Sequence, residues 1–119
     1  MQREAQALVD EWAQTFNAGR VADLARFYTA DARIVPPGRS TLVGAEAICM
    51  FFADIRAQGF RDYAVEVGDV FAKDASLVVS GRWELRGPDA GGLQLYKGNW
   101  MNLLAHGSTG RLIAVHMWN

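Results

Sequence analysis

Few side chains in this sequence carry chemistry, and those that do are scattered. There are two histidines, His106 and His116, and one cysteine, Cys49. No histidines and carboxylates share metal-ligand spacing, so no metal is implied. The run Gly87–Gly92 follows a strand but opens no helix, so it is not a phosphate-binding loop. Cys49 has no histidine near it in sequence and reads as a small packed hydrophobe. The sharpest candidate is Asn102, within LQLYKGNWMNLLA at Leu93–Ala105. An amide in the middle of an aromatic, apolar strand must find hydrogen-bond partners or cost about 1–3 kcal/mol. Either a ligand meets that need, or Tyr28 or a buried water does. Tyr28 reads first as structural, its hydroxyl anchoring the turn after a short helix, with a ligand role second. Asp31, just beyond, fits a turn-capping role better than that of a base.

The elements that must position these groups follow from apolar spacing. In Leu93–Ala105, Gln94, Tyr96, Gly98, Trp100, Asn102 and Leu104 share one face, and the alternate residues share the other. Neither row is cleanly polar, which predicts a strand covered on both sides. Gly98, between two large aromatics, marks a bend or a close backbone approach. Upstream, Leu8, Val9, Trp12, Ala13 and Phe16 make one stripe of a helix over Glu4–Asn17, stopped by Asn17-Ala18-Gly19. A second, short helix runs from Val21 to Tyr28, and an extended piece over Asp31–Val35 ends at Pro36-Pro37-Gly38. Gly44 introduces a third helix with Ile48, Phe51, Phe52 and Ile55 in register, and Gly59-Phe60 supplies its C-terminal stop.

From there the period changes from 3.6 to 2. Tyr63, Val65, Val67 and Phe71 predict one strand, and Leu77–Arg86 the next, with Val79, Trp83 and Leu85 on one face. Lys73-Asp74 turns between them, and Gly87–Gly92 reads as a loop without strand potential. The long strand, a turn at His106–Gly110 and a last strand Arg111–Asn119 complete the chain. Helices followed by turn-linked strands predict an α+β fold with a curved, mainly antiparallel sheet. A layer of that kind closes a cone with a cavity between helices and sheet.

Composition narrows the function classes. At 119 residues the chain is expected to be one domain, residues 1–119, with a core rich in aromatics given its four Trp, six Phe and three Tyr. A net charge of −1 gives no footprint for nucleic acid or an anionic membrane surface. The longest apolar run, Ile48–Ala53, is far too short to span a bilayer, and the first residues show no signal-peptide pattern. One cysteine excludes an intrachain disulfide and fits a reducing, cytoplasmic compartment.

Several motifs together resemble the nuclear-transport-factor-2-like superfamily, on its SnoaL-like and ketosteroid-isomerase-like branches. They are Trp12 with Phe16–Gly19, Phe27-Tyr28 with Asp31-Ala32, Pro36-Pro37-Gly38, Gly44 with Glu46–Ile48 and Phe51-Phe52, Gly81 with Trp83, Gly98 with Trp100, and Met117-Trp118-Asn119. The resemblance implies a cone-shaped, cystatin-like roll with three N-terminal helices on the sheet. It also implies which side chains face the cavity: Tyr96, Gly98, Trp100 and Asn102, with Val115, Met117 and Asn119 from the last strand and Trp12, Tyr28 and Phe51 from the helices. His116, with Ala114 and Trp118, would then lie on the outer face unless a bulge reverses the parity. His106 would sit exposed in a turn.

The steroid-isomerase chemistry does not carry over. Its carboxylate base falls on Pro36, its oxyanion tyrosine on Trp12, and its protonated aspartate on Asn102. An amide can still donate to an oxyanion, but loss of the base removes about 10²–10⁴-fold. The family hosts enzymes and non-enzymes alike. The expectation is therefore a cofactor-free protein that binds a small apolar organic molecule, with Asn102 and Tyr28 as polar handles. If it is an enzyme, isomerase-, cyclase- or dehydratase-type chemistry on a carbonyl compound is expected, with Asn102 as oxyanion donor and Asp31 as candidate base. The alternative is a non-enzymatic homodimerisation module with a filled cavity. Leu93, Leu95, Met101 and Leu103 on the reverse face, with or without Trp118, would form the dimer surface.

Overall fold

The structure, a computed structural model, describes residues 2–107 and 110–119. Helix α1 spans Gln2–Asn17 and buries Val9, Trp12, Ala13 and Phe16, the stripe expected from its spacing. It ends as its glycine dictates. Gly19, at φ 78°, donates to Phe16 O while Arg20 donates to Thr15 O, so two carbonyls of the last turn are satisfied. The second helical segment, Val21–Phe27, is a 3-10 helix. Helix α2, Ala45–Ala57, closes the same way as α1, with Gly59 at φ 104° bonded to Arg56 O and Phe60 to Ile55 O.

Six strands follow the same chain order: β1 (Tyr28–Val35), β2 (Leu42–Val43), β3 (Arg61–Lys73), β4 (Ser76–Asp89), β5 (Gly92–Gly107) and β6 (Gly110–Trp118). They form one sheet in the order β2-β1-β6-β5-β4-β3, antiparallel except where β1 runs parallel to β6. The fold is thus α+β, with the helical elements packed on a curved sheet, and β1 and β2 extend it beyond the four strands read from periodicity. The extended piece expected at Asp31–Val35 begins earlier, at Tyr28. The centre of the turn expected at His106–Gly110, Ser108 and Thr109, lies outside the described residues.

Three expectations about the strands are corrected. Gly87-Pro88-Asp89 is not loop but the end of β4, paired with Gln94, Leu93 and Gly92, so the hairpin turns on Ala90-Gly91 alone. Pro88 is tolerated because β3 stops pairing at Arg61↔Arg86, leaving that side of β4 an edge where no N–H is needed. In β3 a bulge lies at Gly68, because Val67 pairs with Gly81 and Asp69 with Ser80. The extra residue reverses the parity beyond it, so Phe71 is 48% exposed and Val70 packs on the core instead. The third correction, in β6, bears on the site.

The centre of β5 keeps the predicted alternation: Trp100, Asn102 and Leu104 are buried, while Met101 between them is 41% exposed. The reverse row is not covered within the chain, since Leu93 and Leu95 are exposed too. Gly98 is the close approach its sequence context implied. A Cβ there would collide with the backbone carbonyl of Asn119, which bonds through its own N–H to Asn99 O.

Candidate functional site

Between α1, α2 and the inner sheet face lies a cavity of ≈ 70 Å³. Trp12 and Phe16 wall it from α1, Phe51 and Phe52 from α2, and Trp100 and Trp118 from the sheet. Trp12 is the hub of these rings, stacked on Phe16 at 5.5 Å and edge-on to Phe52 at 5.0 Å between centroids. None of the lining residues carries an acid, a lysine or an arginine. A second, smaller void of ≈ 10 Å³ lies beside it, bordered by Trp12, Tyr63, Trp100, Asn102 and His116. Beyond Trp118, which borders both spaces, an open groove of ≈ 890 Å³ follows the Pro36-Pro37-Gly38 segment.

The last strand places its side chains opposite to expectation. Leu103 pairs with Val115 but Leu104 with Ile113, so Ala114 is an extra, bulged residue. Ile113 and His116, three apart, both face inward, followed by Trp118. His116 therefore stands on the cavity wall and not on the outer face. Val115 and Met117 point away from the cavity, Met117 being 37% exposed, and Asn119 is spent on strand pairing, its Oδ1 accepting from Asn99 N. These three residues leave the candidate ligand set. The spacing Ile113–His116 was the available signal, but both rows of RLIAVHMW are equally apolar and do not decide between phases.

Three further candidates are displaced. Asp31 is exposed within β1, where Thr29 Oγ1 donates to it, so it neither caps a turn nor reaches the cavity. It is no base for this site. Tyr96 lies on the distal β4–β5 arm, its ring 5.5 Å from Phe60 and its hydroxyl bonded to Pro88 O. Tyr28 does not anchor a turn and does not line the cavity. It sits one layer behind, where Trp12 Nε1 donates to its hydroxyl at 3.0 Å and His116 Nδ1 lies 3.0 Å from the same oxygen. Trp12, Phe51 and Trp100 do line the cavity, and Asn102 borders the smaller void.

Burial sets the protonation of this group. It pushes His116 down to about 4, so the imidazole is neutral at pH 7. It holds the Tyr28 phenol well above its usual value despite the Trp12 hydrogen bond that favours the phenolate. Tyr63, which lines both the cavity and the void, is raised by the same desolvation. Asn102, paired across the strands with His116, has an enclosed Oδ1 with no hydrogen-bond partner. Tyr28 does not satisfy it. An enclosed acceptor left so costs about 1–3 kcal/mol. Cys49 is half-buried between α2 and the 3-10 helix, with desolvation raising its thiol, and takes no part in the cavity. Among the described residues no group of histidines, cysteines and carboxylates could hold a metal ion. Among the described residues no helix is long and apolar enough to cross a membrane.

The arrangement can enclose an apolar group and offer it one neutral imidazole. Solved structures share the fold. A ketosteroid isomerase-like protein from Erwinia carotovora atroseptica superposes with a TM-score of 0.82 at 19% identity, covering 98% of this chain and 92% of that one. An NTF2-like protein with a cystatin-like fold from Novosphingobium aromaticivorans gives 0.78 at 13% identity over 98% and 79%. A Catenulispora acidiphila protein in complex with S-DNPA gives 0.81 at 17% identity over 98% and 90%. No curated protein matches the sequence. The SnoaL-like domain matches residues 9–117, nearly the full length, and the chain belongs to that family.

Proposed function

We propose that this protein binds a small, largely apolar organic molecule in the aromatic cavity, with His116 and Asn102 as its polar handles. The observation that carries the reading is an apolar, ring-walled cavity with a neutral imidazole on its wall and an enclosed, unpartnered amide oxygen beside it. Tyr28 acts from behind, through His116. The Catenulispora acidiphila protein of the same fold is in complex with S-DNPA, which is in keeping with this use. Binding is favoured over isomerase, cyclase or dehydratase turnover, because no carboxylate lines the cavity and a buried imidazole with a pKa near 4 is a weak base. A cytoplasmic setting fits the lone Cys49.

The cavity volume favours a second reading. At ≈ 70 Å³ it is well below the roughly 300–1,000 Å³ of sites for drug-sized ligands, so it takes the end of a molecule or is simply core. On that reading the protein is a homodimerisation module, using the exposed row Leu93, Leu95, Met101 and Met117. Native mass spectrometry on freshly purified protein, followed by denaturing release, separates the two. A stoichiometric small-molecule mass, or thermal stabilisation by a panel of small apolar compounds, is the result expected of a binding protein. A clean dimer with no adduct and no stabilisation moves the assignment to the module.

A further inference from the structure

Behind the cavity, Tyr28 Oη has two polar neighbours, Trp12 Nε1 and His116 Nδ1, each at 3.0 Å. An indole N–H can only donate, so the phenol oxygen accepts from Trp12. Tyr28 is buried and keeps its proton at neutral pH, and that proton needs an acceptor. His116 Nδ1 is the acceptor within reach. With a proton on Nδ1 instead, the phenol would accept twice and its own hydrogen would point into the core without a partner. A neutral imidazole carries a single proton, so an accepting Nδ1 leaves it on Nε2. His116 borders both the cavity and the smaller void, and Nε2 is the ring nitrogen left to serve them. The ring is held in place by Phe52, stacked at 6.0 Å, by Trp118 at 5.0 Å and by the edge-on Trp12 at 5.8 Å. A flip would break the Tyr28 bond.

Building on the binding function proposed above, we propose that the buried chain Trp12–Tyr28–His116 locks the imidazole with its proton on Nε2, so that the cavity presents a fixed hydrogen-bond donor and selects ligands that offer an acceptor atom there. Carbonyl, ether and aromatic-nitrogen compounds meet that requirement at Nε2; a group that can only donate does not, and is left to the Asn102 oxygen. Trp12 and Tyr28 are positioning residues, because they act on the ligand through His116.

Long-range proton–nitrogen NMR of the imidazole nitrogens at pH 7 tests the relay without any ligand, with His106→Gln used to assign the His116 signals. A protonated Nε2 and an accepting Nδ1 are expected; a protonated Nδ1 overturns the relay. In Tyr28→Phe the ring should lose its fixed tautomer and show a mixture, a change that packing alone would not cause. An unchanged tautomer removes the positioning role. For ligand class the probes are cyclopentanone and pyrrole, five-membered rings that respectively only accept and only donate. Bound cyclopentanone should shift the Nε2 signal, and loss of that donor in His116→Phe should weaken its binding about tenfold. Pyrrole, whose N–H can pair with the Asn102 oxygen instead, should be weakened far less. Pyrrole binding that His116→Phe weakens as much as that of cyclopentanone overturns the class. If neither probe binds, the binding function and the ligand class fall together, while the tautomer spectrum still decides the relay.

Discussion

Asn102 and His116 face each other across β5 and β6, both polar and both buried among aromatic rings. They differ in how their polarity is met. His116 is tied by Nδ1 to Tyr28, and through it to Trp12, whereas Asn102 keeps an enclosed oxygen with no partner. A buried polar group with its partners in place adds to a unique, rigid core. One without them lowers stability and persists only if something else recovers the loss. The contrast between the two strands thus separates a polar group whose partner lies within the core from one that has none there.

The largest effect that sharpens this contrast comes from acid. His116 is held near pH 4 when folded, while an unfolded histidine titrates near 6.5. The folded chain therefore binds fewer protons between those values, and its stability is fully present above about 6.5 and falls as pH drops toward 4. The shift corresponds to about 3 kcal/mol. Urea denaturation from pH 7 to 4 should show that decline, and His116→Phe should flatten it over the same window. A wild-type curve with no slope there would mean that the imidazole is not buried as described.

A somewhat smaller effect breaks the contrast. In Tyr28→Phe, Trp12 Nε1 and His116 Nδ1 both lose their partner, which puts β6 in the condition of β5. Two groups orphaned in the core, partly relieved by relaxation, should cost about 2 kcal/mol. A shift in denaturation midpoint with unchanged m-value would report it. A neutral variant would show that the phenol contributes volume and little else.

The same pair of strands shows why part of the site was legible in the sequence and part was not. At its centre β5 alternates without interruption, so parity put Trp100, Asn102 and Leu104 on one face, and the family resemblance turned Trp100 and Asn102 of that face inward. The helices were legible because apolar stripes and the glycine stops at Gly19 and Gly59 agree with one another. Bulges carry no comparable mark. Gly68 and Ala114 each insert one small residue and reverse every side chain beyond it, which moved Phe71 out and His116 and Trp118 in. Where both rows of a strand are apolar, as in β6, a one-residue slip leaves no trace in composition. The Gly87–Asp89 extension was hidden for another reason. Glycine and proline argue against a strand, yet where the neighbouring strand has ended, the ladder no longer needs the missing N–H.

Asn102→Leu has the smallest effect on stability, and its sign carries the argument. Leucine has the branching of asparagine but is larger, and the void of ≈ 10 Å³ beside the site takes up part of the difference. The substitution removes an acceptor that has no partner, so the ligand-free protein should gain about 1 kcal/mol. A gain of that size means that wild-type sequence retains a destabilising amide in its core. Retention of that kind is the pattern of a functional site, where stability is given up for an interaction absent from the empty protein. Thermal denaturation with and without a bound compound then measures both sides: the variant should melt higher alone and lose stabilisation by the ligand. If Asn102→Leu melts lower instead, and the smaller Asn102→Val does too, the amide is already satisfied in solution and the contrast between β5 and β6 falls.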